Sequence, residues 1–516
     1  MPLTARDRAL ILTAIMLALF LGALDQTIVS TALPAIVADL EGLDRYAWVA
    51  TAYLLASTSL VPIYGKLADM HSRRSIELVA VGLFLTGSFL CGIAGEFGAL
   101  PLIGDGMNQL ILFRAIQGLG GAGIFGMAFI IIADLFPPSE RGKWQGLIGA
   151  TFGVASVLGP LVGGFLTDHG GGLIPGIEGW RWVFYVNVPF GALAVWFIVR
   201  HMPPLVPPGE KARINRVSAA LLVLGLATLI TGLQLDKLRY PWLPGLGPAP
   251  LEAWWTGWVT LGLLAVAAAA LTLFTRRTLR EPNPILRLSL FRNRVFSTAN
   301  AAQFFFGAVF LSLILFLPLF MVSVVGVSAT RAGVSLIPLS LGVVAGSTLA
   351  GQLVSRIGHY RRIMLAGTAL LFVGVLLLAR MDADVAYGTV TFYMVLCGLG
   401  MGPAMPLYVL AIQNAVDVRY VGQATSANQF FRQIGGMVGA AVMGTILAVG
   451  LTVAAGEGLT VGAPGSAPPR AFADALTRIF TASAALVAVA GLITAFIPEL
   501  PLRRTHDVAR PGVTGD

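Results

Sequence analysis

Apolar residues along this chain are gathered into long runs, separated by short stretches that are polar, basic or rich in proline. A run of about 20 residues at 1.5 Å each spans the hydrocarbon core of a bilayer, and a helix satisfies its own backbone there. On that criterion spans are predicted near 9–35, 47–68, 77–97, 108–135, 144–167 and 182–200. Two more fall near 216–235 and 254–275, and six near 295–323, 332–355, 362–380, 386–412, 426–454 and 474–497. The pattern is six, two, six. It predicts an all-α membrane protein with 14 transmembrane helices, arranged as two six-helix bundles and two inserted central helices.

Charge placement sets the expected topology. With the N-terminus in the cytoplasm, the inner loops carry roughly 24 Lys and Arg against roughly 8 in the outer loops, as the positive-inside rule requires. Only Arg114 and Arg432 fall well inside spans. Removing one span would send the basic stretch from Arg276 to Arg294 to the outside, so both termini are expected in the cytoplasm. The first run follows Arg6 and Arg8 but leads to no cleavage site, and it is read as a retained helix. The expected organisation is an N-terminal bundle over 1–200, a linker with two helices over 201–293, a C-terminal bundle over 294–500 and a cytoplasmic tail over 501–516. Trp180, Trp182, Trp254, Trp255 and Trp258 fall at predicted outer helix ends, where an amphipathic ring suits the headgroups.

Composition narrows the class of function. Hydrophobic residues make up 56% and charged residues 11%, with mean hydropathy +0.82, far from a soluble domain. The 61 glycines lie largely inside the apolar runs, where small residues let helices approach closely. Cys91 and Cys397 offer no disulfide or metal framework, and no cofactor or metal is expected. The net charge of +9 is spread over short loops rather than one face, so no nucleic-acid partner is expected. No phosphate-binding Gly-Lys-Ser or Gly-Lys-Thr loop precedes a soluble helix, which disfavours ATP-driven work and an enzyme.

Four groups of residues carry candidate chemistry. Asp25 sits inside the first span, where an ionised carboxylate is expensive unless paired or hydrated; a structural hydrogen bond is the plainer alternative to a functional role. Arg114 lies early in the fourth span, which runs the opposite way, so both groups fall at comparable depth. Elsewhere Asp134, Asp168 and Asp236 are placed near helix ends, leaving Asp25 as the deep carboxylate. Gly159-Pro160 followed by Gly163-Gly164 gives a helix that can bend and pack tightly, although glycine pairs are common in membranes. The stretch from Gly65 through Asp69 to Arg73 and Arg74 follows the second span, and a related stretch, Gly351 to Arg362, follows the second span of the last block. Its plain reading is a basic inner loop. Its functional reading is a latch in which Asp69 meets a helix N-terminus of the other half.

Together these segments, with Trp180 to Gly191, resemble the major facilitator superfamily, specifically its fourteen-span drug:proton antiporter branch. The resemblance covers essentially the whole chain. It departs at Ser72, where the loop motif has glycine, and at Ala155, where the antiporter motif opens with glycine. It implies a multi-pass protein of the inner (cytoplasmic) membrane that exports lipophilic neutral or monocationic drug-like compounds in exchange for protons by alternating access. It further implies proton coupling at Asp25 and Arg114, an antiporter motif at Gly159, Pro160, Gly163 and Gly164, and a gating loop at Gly65, Asp69, Arg73 and Arg74. The expected partners are the substrate, protons and membrane lipid, with the chain a monomer and the substrate-binding residues unassigned. The alternatives are export of a specific metabolite, lipid or siderophore by the same fold, and a non-transporting membrane sensor.

Overall fold

The computed structural model describes residues 4–41, 45–101, 103–172, 174, 176–206, 214–234, 253–327, 334–455 and 469–502. The helices of the first half are α1 (Ala5–Asp39), α2 (Tyr46–Ala68), α3 (Arg73–Gly92), α4 (Gly106–Leu135), α5 (Pro138–His169), α6 (Trp182–Tyr185) and α7 (Asn187–His201). A central pair follows, α8 (Arg216–Gln234) and α9 (Ala253–Thr278). The second half holds α10 (Arg294–Ser323), α11 (Ile337–Ile357), α12 (Tyr360–Leu378), α13 (Tyr387–Met401), α14 (Ala404–Ala415), α15 (Val421–Ala455) and α16 (Pro469–Ala495). The expected tail falls almost entirely outside the described residues, as do Asp236 and the side chains of Trp254 and Trp255.

Local sequence sets where these helices begin and end. Thr4 caps α1, accepting from the Asp7 amide at 3.1 Å while the Asp7 carboxylate accepts from the Thr4 amide at 3.0 Å. Asp105 caps α4 through the Asn108 amide at 3.0 Å, and Asn293 caps α10. Each such cap stabilises a helix by about 1 kcal/mol. Gly358 closes α11 with φ +80°, a left-handed conformation that costs glycine little. The expected span over 386–412 is broken at Gly402-Pro403, because proline removes a backbone donor and clashes with the preceding turn.

Among the described residues, 13 segments are long and apolar enough to cross a membrane. The chain is therefore a multi-pass membrane protein. The expected second span, 47–68, forms α2 but is not one of the 13. It carries buried Thr51, Ser57, Thr58, Ser59 and Lys66, which dilute its hydropathy and face protein rather than lipid.

The two halves meet along two seams, α5 against α11 and α2 against α15. Glycines make the first seam close: a Cβ on Gly351 would stand 2.2 Å from the carbonyl oxygen of Gly142. Hydrogen bonds between the halves gather towards the end of the bundle that carries Asp69. Gln145 donates to Gln413 at 2.9 Å, Ser347 donates to the Gly146 carbonyl at 3.3 Å and Thr58 donates to Gln433 at 2.6 Å. The central pair packs together, and α8 lies against α2 and α15. Leu222 and Leu226 of α8 join the apolar core of the first half.

One expectation for the tryptophans is corrected. Trp180 is 2% exposed and donates to Asp39 at 3.0 Å, so it ties the end of α1 to the segment before α6 instead of floating among headgroups. The Arg181 guanidinium, stacked on it at 4.4 Å, draws it inward by also bonding the Gly92 and Ala94 carbonyls. Trp258, at 63% exposure, does project from α9.

Candidate functional site

Asp25 lies 20 residues along α1 from Ala5, about 30 Å by helical rise. It is fully buried, and three side chains from two other helices close around its carboxylate. Arg114 Nη1 donates to Oδ2 at 2.6 Å, Gln117 Nε2 donates to Oδ1 at 2.8 Å and Asn187 Nδ2 donates to Oδ1 at 3.1 Å. The guanidinium is itself held: it donates to Gln117 Oε1 at 2.7 Å and to the Val49 carbonyl at 3.3 Å, and it lies 4.5 Å from the centre of the Tyr53 ring. Asn187 also donates to Ser88 at 2.9 Å, which donates to the Phe184 carbonyl at 2.9 Å. Charge is balanced, and every carboxylate oxygen has a donor.

The sequence singled out Asp25 and Arg114 but gave Gln117 and Asn187 no role. A signal existed for each: Gln117 is three residues after Arg114 and so shares its helix face, and Asn187 is a carboxamide at the start of an apolar run. A second correction concerns Glu77. The expected third span began at 77, putting this residue at its edge, whereas α3 begins at Arg73 and carries Glu77 into the bundle. It is fully buried, and neither carboxylate oxygen has a hydrogen-bond partner among the described residues.

The glycines of α5 divide by position. A Cβ on Gly159 would stand 2.0 Å from Thr27 Oγ1, and one on Gly163 would stand 2.3 Å from Thr31 Oγ1, so these two let α1 lie directly on α5. Thr27 completes the contact by donating to the Ala155 carbonyl at 3.0 Å. Gly164 faces open space, and Pro160 sits within the helix between the two contacts. Asp25 is thus carried by a helix whose seating depends on two missing side chains.

At the far end of the bundle from Asp25, Asp69 lies just beyond α2. Its carboxylate accepts from the amides of Gly422 and Gln423 at 2.8 and 2.9 Å, at the start of α15 in the other half. Burial pushes this carboxyl up to about 7, against the pull of those two amides, Arg73 and Lys66. Gly65 permits the approach, since a Cβ there would meet Ser426 Oγ at 1.9 Å. Arg73 turns away and pairs with Asp134 at 2.7 Å, while Arg74 donates to the Val199 carbonyl at 2.7 Å. Those two arginines brace the first half; among the described residues Asp69 alone of the four bonds across to the second.

In the second half a narrow cleft is lined by Gln303, Phe306 and Phe310 of α10, Met401, Met405 and Arg432. Arg432 lies 11 residues into α15, about 16 Å from its start, and its guanidinium donates to Gln429 Oε1 at 3.1 and 2.8 Å. Among the described residues no carboxylate pairs with it. The cleft is walled by the second half and lies beside its contact with the first: the next residue after Arg432, Gln433, bonds Thr58, and the next after the lining Val343, Val344, packs on Gly153.

Two helical halves joined along paired seams, with a balanced ion pair sealed in one half, define a two-bundle multi-pass membrane protein. The profile of the Major Facilitator Superfamily matches residues 15–440, and the chain belongs to that family. It is 38% identical over 436 residues to Multidrug resistance protein 3 of Bacillus subtilis, covering 84% of this chain and 79% of that one. It is also 38% identical over 442 residues to Multidrug transporter protein MdtP of the same organism, covering 85% and 75%. The solved structure of the proton:xylose symporter XylE shares the fold with a TM-score of 0.66 at 14% identity, over 96% of this chain and 97% of that one.

Proposed function

We propose that this protein is a proton-driven exporter of lipophilic drug-like molecules, working by alternating access in the inner membrane with both termini in the cytoplasm. The relatives that are 38% identical, a multidrug resistance protein and a multidrug transporter, support the cargo class. The observation that carries the coupling is the sealed cluster at Asp25. A proton arriving on Oδ2 removes the charge that holds Arg114, and the guanidinium must then find other acceptors. That rearrangement lies where α1 rests on α5 through Gly159 and Gly163, so it reaches the helix that forms one seam between the halves. At the opposite face Asp69 holds α2 to α15 in this state and has to release for that face to open.

The working units in this reading are the bundles 1–200 and 294–500, with 201–293 as a linker that shields the α2–α15 seam and 501–516 as a cytoplasmic tail. A monomer in lipid suffices for the cycle. The sequence pointed to neutral or monocationic cargo because one deep carboxylate was available to offset one positive charge. Arg114, Gln117 and Asn187 occupy that carboxylate, which leaves it no free charge for a cation, so lipophilic molecules without a positive charge are the cargo this reading supports.

The test is purified protein in liposomes with an imposed pH gradient and a panel of lipophilic dyes of different charge. Dye movement against its own gradient, collapsing when the pH gradient is dissipated, is the expected result. Flux indifferent to the pH gradient would remove proton coupling, and no flux of any dye would remove the drug-export reading.

A further inference from the structure

We propose that the cleft between Gln303 and Arg432 is an anion-binding subsite, taking the acidic end of an amphipathic organic acid. This deepens the transport reading and rests on it, because the cleft matters only if cargo visits the place where the halves meet.

The two intramembrane arginines are treated differently by the fold. Arg114 is neutralised by Asp25 at 2.6 Å, whereas Arg432 donates to the carboxamide of Gln429 and has no carboxylate partner among the described residues. An arginine inside a membrane is costly unless something offsets its charge, and such a residue marks a binding or ion pathway by default. Arg114 has an internal partner; Arg432 is left to take one from outside. A second and independent observation lies in the same cleft. Gln303 is 2% exposed, and its side-chain oxygen has no hydrogen-bond partner among the described residues, although a buried acceptor left empty is costly. The cleft therefore offers one fixed cation and one empty acceptor. A carboxylate answers the cation, and a hydroxyl or N–H group beside it would answer the acceptor as well.

The remaining walls are apolar, and in this state the cleft has room for about one water, so the body of such a molecule enters only as the halves part. Phe306 and Phe310 present flat faces, and Met401 and Met405 are unbranched and polarisable, able to fit differently shaped bodies. Arginine also suits this task better than lysine, since its planar fork meets a carboxylate with two parallel bonds. In the export direction, an inside-negative potential would drive proton inflow and anion outflow together, so an acid is a favourable cargo for this cycle.

The experiment is equilibrium binding to the full chain in lipid nanodiscs, with no pH gradient, using three probes of nearly equal size: 1-naphthoate, 1-naphthamide and 1-naphthylmethylammonium. The wild-type protein should bind naphthoate at least about tenfold more tightly than the ammonium, the size of one charge-assisted bond. Arg432→Gln should erase that preference while naphthamide affinity stays within about twofold, and Arg432→Lys should keep part of it. If the glutamine variant does not fold, the wild-type comparison alone decides. Ammonium bound as tightly as naphthoate, equal weakening of acid and amide in the glutamine variant, or no binding of naphthoate at all would overturn the subsite. Because no gradient is present, failure here leaves coupling at Asp25 untouched, and loss of coupling with binding intact would leave the subsite standing.

Discussion

Arg114 Nη1 stands 2.6 Å from Asp25 Oδ2, and both side chains are closed off from solvent, so the carboxylate and the guanidinium are each other's main counter-charge. Changing one therefore changes the state of the other. Asp25→Asn should abolish gradient-driven efflux, and it should also destabilise the protein by about 3 kcal/mol or more, since it leaves a buried arginine unpaired. Asp25→Asn combined with Arg114→Gln should recover most of that stability without recovering efflux. Thermal unfolding in detergent read beside liposome efflux separates the two effects; restored efflux in the double variant would exclude a titrating role for Asp25.

The latch at Asp69 should respond to pH on its own side of the membrane. The carboxyl is raised to about 7 when buried against Gly422 and Gln423, and its ordinary value of 3.8 applies when that face opens to water. The closed face thus holds the proton more tightly than the open one. Closure is favoured as pH falls through about 7, and that proton-linked bonus is lost as pH rises through the same value. Spin labels at the exposed positions of His71 and Arg356 should show a shorter mean distance at pH 6 than at pH 8. Asp69→Asn should flatten the response and slow cycling, while naphthamide affinity stays nearly unchanged. A wild-type distance that does not move with pH would remove the linkage.

The α1–α5 contact predicts unequal costs for equal substitutions. Gly159→Ala places a methyl group 2.0 Å from Thr27 Oγ1 and should cost about 1–3 kcal/mol as the helices are forced apart, with a matching loss of transport. Gly164→Ala meets nothing within 4 Å and should be tolerated, or stabilising by a few tenths of a kcal/mol through helix propensity. Similar melting temperatures for the two variants would mean that α1 does not rest on Gly159.

Glu77 offers a contrasting test. Its carboxyl group is buried, and among the described residues neither oxygen has a hydrogen-bond partner, so the native contacts give it little to lose. Glu77→Gln keeps the volume and removes any possibility of a buried charge. The variant should be at least as stable as wild type at pH 8, with efflux retained. A drop in melting temperature of several degrees would point to a partner that forms in another state of the transport cycle.

Particular residues show how far the sequence could be read. The depth of Asp25 and of Arg114 followed from counting along runs of opposite direction, and depth alone brought them to the same level. That Asp69 would reach the other half was an expectation from charge and dipole; which helix it meets, α15 at Gly422, was not visible. Glu77 is the first residue of the expected third span, whereas the helix itself starts four residues earlier, at Arg73, and buries it. Trp180 was misjudged because an interfacial ring and a buried ring have the same sequence signature, and its partner Asp39 lies 141 residues earlier.

The sequence by itself determined the number and order of the apolar runs, their expected directions and the family they belong to. Those properties are local: a bilayer lets a run of about 20 apolar residues do little except form a helix, and loop charge orients each helix in turn. Tertiary structure decided which polar groups inside the membrane are answered and which are not. Arg114 and Arg432 look alike in sequence, each a lone cation in an apolar run. Only the rotation and packing of distant helices gave the first a carboxylate and left the second beside a narrow cleft, because an ion pair forms across 89 residues of chain only where two helix faces meet at the same height.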